Sequence, residues 1–157
     1  MINKENLETT GRLNITVIDG NGNIKNSINL RNLVVTTGRD WLANRVISDD
    51  PSFMSHMEIG SGGLDSSANP ITPLLTETTL VTAVTRVAMG SGPSVNENTV
   101  TFSAAFPATN NSTSRSISEA GIFNNQTAGI MLCRTTFEVL NIQPADSISI
   151  TWTITIS

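Results

Sequence analysis

The stretch Ser147–Ser157, SISITWTITIS, decides the fold. Ile148, Ile150, Trp152, Ile154 and Ile156 fall on one side of it, and serines and threonines fill every position between them. A period of two means a β-strand with one buried and one wet face, because successive Cβ atoms point to opposite sides of a sheet. Its isoleucines and threonines are β-branched, stiff at χ1 and suited to a pleated surface. Left at a sheet edge, such a strand would template pairing with other chains. It is therefore expected inside the sheet, hydrogen-bonded on both sides, in an all-β domain.

Working outward, the same alternation recurs. Arg12–Asp19 carries Leu13, Ile15 and Val17 on one face, and a second strand runs from about Asn23 to Leu30. Between them Gly20-Asn21-Gly22 predicts a type I′ hairpin turn, since Asn and Gly tolerate positive φ. Asp19, Asn21 and Asn23 also stand in the D-x-N-x-N spacing of a calcium loop. That loop wants Gly at its sixth place and Glu at its twelfth, where this chain has Ile24 and Leu30, and helices beside it; the hairpin is the better reading. Further extended segments are Arg31–Thr36, Ser55–Gly60, Leu80–Met89, Val100–Phe106, Ser116–Phe123 and Gly129–Val139. One helix is expected, with Thr37 as N-cap, Asp40 completing a weak capping box, and Trp41, Leu42, Val46 and Ile47 at helical spacing. It should end near Ser48, before Asp49-Asp50-Pro51, and lie across one opening of the sheet assembly with Trp41 as the plug. Met1–Thr10 reads as a polar N-terminal arm, and residues 11–157 as a single domain.

The 157-residue length allows one core, burying about 70% of the surface the unfolded chain exposes. Only 14% of residues are charged and 4% aromatic, while Ser, Thr and Asn are abundant. This suits a β-rich structural protein with a neutral, hydroxyl-lined surface. A net charge of −4 argues against nucleic acid or an anionic membrane as partner, since either needs a basic footprint. MINKENLETTG has neither the apolar core nor the small-residue cleavage site of a signal peptide. No window approaches the roughly 18 apolar residues of a membrane span. Synthesis in a cytoplasm is the expectation, which makes the sequons at Asn14, Asn111 and Asn125 chance matches.

Chemistry-bearing residues are few. Cys133 is the single cysteine and sits in an apolar run, so an inert buried thiol is expected and no cysteine metal cluster. His56 is the single histidine; a metal site or a Ser-His-acid triad would rest on it alone. Gly60–Gly63 (GSGG) lacks the Lys-Ser/Thr of a phosphate loop and reads as a flexible turn. The proline-bearing segment Leu64–Thr79 is long for a loop and is marked as an interface candidate. Glu119 and Arg134, at similar offsets from one turn, are expected to pair and fix strand register, as are Glu77 and Arg86. Glu77 and Glu119 could be imagined as a glycosidase pair. Sugar clefts carry stacking aromatics, however, and this chain has no tyrosine and two tryptophans in core patterns. No enzymatic activity, cofactor, catalytic residue or metal site is expected.

Taken in order, Asn32-Leu33-Val34 with Gly38 and Trp41-Leu42-Ala43, HMEIGSG at His56–Gly62, Leu75-Thr76-Glu77, SEAGIF at Ser118–Phe123, Arg134 with Phe137, and the closing ISITWTITI form a series. The series resembles a group of small tailed-bacteriophage virion structural proteins, over about Leu30–Ser157; Leu74–Glu77 matches its segment only approximately. The resemblance implies a β-sandwich of antiparallel strands, jelly-roll-like in one version, that assembles on a virion and does no chemistry. It implies an auxiliary capsid decoration or cement protein, a homotrimer bridging major capsid protein subunits, with a tail-fibre or baseplate adaptor or a host-glycan receptor-binding module as the alternatives.

Overall fold

The computed structural model describes residues 8–48, 52–110 and 112–157. Within them lie nine strands and one helix: β1 (Thr9–Ile18), β2 (Ile24–Val34), α1 (Thr36–Asn44), β3 (His56–Gly60), β4 (Ala83–Ala88), β5 (Ser94–Asn96), β6 (Thr99–Phe106), β7 (Arg115–Phe123), β8 (Met131–Ile142) and β9 (Ser147–Ile156). All pairings are antiparallel, in the order β4-β3-β7-β8-β2-β1-β9-β6-β5. The closing strand is central, as its pattern requires. β9 pairs with β1 from Thr9–Ile156 to Ile18–Ser147, and with β6 from Thr99–Thr155 to Phe106–Ile148. Its inward residues Ile148, Ile150, Trp152 and Ile154 are buried with Leu13, Ile15 and Val17 of β1 and Phe102, Ala104 and Phe106 of β6.

The hydrogen bonding runs unbroken through all nine strands, so the observed unit is one curled, half-barrel sheet and not two separately bonded sheets. The cause lies in β2, which does not stop at Leu30. It continues through Arg31–Val34, expected as a separate piece, and at its far end meets β8 through Leu33–Arg134 and Val34–Cys133. The two halves curl over a common core that joins Met57, Ile59, Ile117 and Ile122 on one side to Trp152 and Phe106 on the other.

Several local expectations change. Only Gly22 in the β1–β2 turn has positive φ (86°), while Asn21 does not, and the Gly22 N–H donates to the Asp19 carbonyl. This is a turn closed by a glycine bulge and not a type I′ pair. The Asp19 carboxylate supports it by accepting the N–H groups of Asn21 and Asn23 at 2.9 Å each. The helix begins without a side-chain cap, at Val35. Thr37 is not the cap because its hydroxyl donates to the Met131 carbonyl at 3.0 Å, pinning α1 to β8. Gly38 is buried there, and a Cβ on it would collide with the Leu132 carbonyl. The helix ends at Asn44, earlier than expected, so Val46 and Ile47 lie beyond it and outside the core. The arm is shorter than its expected ten residues: Thr9 and Thr10 already pair with Ile156 and Thr155, and Met1–Leu7 lie outside the described residues, as do Asp49–Pro51 and Asn111.

Candidate functional site

The most concentrated chemistry sits under the glycine-rich turn. Glu119 of β7 is fully buried and accepts five hydrogen bonds. Its Oε1 takes the N–H groups of Gly62 and Thr82, each at 2.9 Å. Its Oε2 takes the Val81 N–H at 3.1 Å and the Arg134 guanidinium through Nε at 3.1 Å and Nη2 at 2.7 Å. Gly62 of GSGG and the Val81–Thr82 backbone thus form an anion cradle, and the anion is the protein's own carboxylate. It is built tight, not flexible: a Cβ on Gly63 would collide with the Ser118 carbonyl, and one on Gly60 would lie 2.5 Å from the Thr82 carbonyl. Burial pushes the Glu119 pKa up, but the Thr82 N–H, Arg134, and the Val81 and Gly62 N–H groups outweigh it and hold the pKa below the usual glutamate value.

The expected Glu119–Arg134 pair is present, on a diagonal, since Arg134 stands opposite Gly121 and Glu119 opposite Thr136. The expected Glu77–Arg86 pair is not. Glu77 reaches Arg134 instead, with Oε1 2.5 Å from Nη1, because the Leu64–Thr79 segment folds back over β8. Its anchors are the Thr136 hydroxyl, which donates to the Ile71 carbonyl, and the Thr36 N–H, which donates to the Leu75 carbonyl. The loop therefore serves as a cover for a buried charge cluster. Val81 and Thr82, expected with Leu80 in a strand, supply cradle amides, and β4 starts only at Ala83.

Arg86 pairs with Glu58, directly opposite on β3, at 2.8 Å. It also donates to the Asn125 and Ala128 carbonyls and lies 3.8 Å from the Phe123 ring centroid, latching the β7–β8 turn. Sequence reading missed Glu58, although a carboxylate between Met57 and Ile59 in a buried strand was a signal that a cation must face it. His56 is partly buried, with Nδ1 2.8 Å from the Ser55 hydroxyl. Burial first, then Arg86, lowers its pKa and favours the neutral ring. Cys133 is fully buried and its thiol pKa is pushed up by that burial, the inert state expected of it. As a pair, Glu77 and Glu119 both spend their charge on one guanidinium. Among the described residues no three His, Cys, Asp or Glu side chains converge as metal ligands.

The two tryptophans separate. Trp152 is fully buried in the core. Trp41 packs against the core but is partly exposed, at an apolar mouth of about 250 Å³ lined among others by Leu42, Phe53, Val95, Val100 and Ile156. The Arg45 guanidinium lies 4.6 Å from its ring centroid, occupying a face that a sugar would need. Large apolar side chains stand in solvent at this mouth, Phe53 at 54% and Val95 at 70% exposure, and also on the grooves beside it, Val46 at 85% and Ile47 at 87%. A second groove, of about 570 Å³, shares Leu42 and Ile156 with it and is rimmed by Glu8, Thr9 and Val46.

The sequence matches no family model, and no curated protein matches it.

Proposed function

We propose that this protein is a virion structural protein of a tailed bacteriophage, an auxiliary capsid decoration or cement protein that bridges and stabilises major capsid subunits. The observation that carries the reading is the exposed apolar surface around Trp41 and Leu42: Phe53 and Val95 stand at the mouth, Val46 on the adjoining groove that shares Leu42, and Ile47 on a further groove that shares Trp41. Contiguous exposed apolar surface of this kind marks a place for a protein neighbour. The two ends of the sheet support it as well. In the strand order β4 and β5 are terminal, each bonded on one side only, and such edges are completed by adjacent subunits in closed symmetric assemblies, a homotrimer in this reading. The two-pair junction between β2 and β8 is read as a fold line, which makes the curled sheet sandwich-like, with each half a layer. The ordered motif series from Asn32 to Ile156 points to the same group of proteins.

Binding to assembled shells and not to dissociated subunits stabilises the shell by mass action. Particles lacking the protein should therefore disassemble at a higher temperature once purified protein is added. The double variant Val46→Asp/Val95→Asp should fold normally and give no such rise. An unchanged disassembly temperature with wild-type protein overturns the cement reading, and labelled protein found on tails alone would move the function to a tail-fibre or baseplate adaptor.

A further inference from the structure

Among the described residues, the outward side chains of the five strands β2-β1-β9-β6-β5 in the two rows below are exposed or half-buried, whereas the outer face at β8 is covered by the Leu64–Thr79 segment. The paired rows across it are regular. One row runs Arg31, Arg12, Thr153, Thr101 and Ser94. The next runs Asn29, Asn14, Thr151 and Ser103. Neighbouring strands lie about 4.8 Å apart and alternate residues about 6.7 Å apart, so this is a lattice of hydroxyl and amide groups. Those groups also order one another: Asn14 donates to the Asn29 side chain at 3.1 Å, and the Thr99 and Thr155 hydroxyls are 3.0 Å apart.

Within these rows only Arg12 and Arg31 are charged. They stand directly opposite each other, both exposed, with Cα atoms about 4.5–5.5 Å apart. Like charges at directly opposed positions destabilise a sheet. Neither arginine has an ion-pair partner among the described residues, and a polar pocket of about 250 Å³ lies against them, lined by Thr9, Thr10, Gly11 and Asn32. In a chain with net charge −4, placing two of nine basic residues face to face is a local cost that an oxyanion between them would offset.

We propose that Arg12 and Arg31 form the oxyanion seat of a binding face for an acidic polysaccharide. The carboxylate or sulfate of one residue sits between the two guanidinium groups, and the sugar hydroxyls lie along the Thr153–Thr101 and Asn14–Thr151 rows. This open face is not the aromatic-lined cleft of a glycosidase: with no stacking ring in its rows, binding rests on the guanidinium–oxyanion contact and on hydrogen bonds from the hydroxyl and amide lattice, which suit a hydrated acidic glycan better than a protein partner, whose interface centre would call for apolar or aromatic anchors. The tryptophans play no part, and the proposal does not depend on the capsid reading.

The test is calorimetric titration of the full chain with sulfated heparin oligosaccharides, carboxylated oligogalacturonides and neutral dextran at low salt. Wild-type protein should bind the acidic oligosaccharides and not dextran, with affinity falling as salt rises. Preference between the two acidic arms tells sulfate from carboxylate. Arg12→Gln and Arg31→Gln should each weaken binding about tenfold, and the double variant should abolish it. Because the pair is repulsive, Arg31→Gln should melt no lower than wild type. Unchanged binding by the double variant, equal binding of dextran, no binding by wild type, a lowered melting temperature of Arg31→Gln, or tighter binding of a DNA or acidic peptide of equal charge overturns the proposal.

Discussion

Replacing Glu119 by Gln tests whether the glycine-rich turn and its carboxylate are one structural unit. The five donors divide unequally: Gly62 and Thr82 give to Oε1, and Val81 and both Arg134 groups give to Oε2. Whichever oxygen becomes the amide nitrogen, at least two donors lose their acceptor, part-buried backbone N–H groups at Oε1 and chiefly the fully buried Arg134 guanidinium at Oε2. Each orphaned donor costs about 1–3 kcal/mol. Arg134, itself fully buried, keeps only Glu77 as counter-charge. Breaking a buried pair from one side costs about 3–5 kcal/mol, and the two bounds agree. A domain is stable by only about 5–15 kcal/mol, so the variant should show a large drop in urea midpoint. Adding Arg134→Met should cost less than the sum of the single losses, since the stranded charge is removed as well. The pH dependence follows from the lowered pKa. Glu119 contributes its stability above the unfolded glutamate value of 4.5 and loses it as pH falls through the lower folded value. Wild-type stability should therefore decline in that acid range more steeply than that of Glu119→Gln. A loss under about 1 kcal/mol, with parallel acid profiles, would refute the reasoning, because one of these donors left unmet should by itself exceed it.

Two further outcomes bear on the core and the cradle. Trp152→Ala should cost about 3–5 kcal/mol in chemical denaturation, whereas Trp41→Ala, at the partly open mouth, should cost less than half as much; equal losses would contradict the burial difference. Gly63→Ala should lower the melting temperature although alanine is the better residue for an ordinary turn, since its Cβ has no room beside the Ser118 carbonyl, and an unchanged or higher melting temperature would show that the turn is loose after all.

The order of residues alone determined the elements whose pattern is local. Ile148 to Ile156 alternate so strictly that only a strand covered on one face satisfies them, and Leu13, Ile15 and Val17 repeat the argument at β1. Glu119 and Arg134 were legible as a pair because one short turn joins their strands. Contacts that cross long stretches of chain were not legible. Glu77 reached Arg134 and not Arg86 because the 64–79 segment folds over β8, a packing decision made by Thr136, Thr36 and their carbonyl partners. Gly60–Gly63 looked like a flexible turn since glycine permits flexibility, and only the Ser118 and Thr82 carbonyls pressing on it make it rigid. Likewise Arg12 and Arg31, nineteen positions apart, become opposed charges only through the register of β1 against β2. Alternation tells which face a side chain takes, and pairing between distant strands tells what stands beside it; the first is written along the chain, and the second exists only once the sheet has closed over its core.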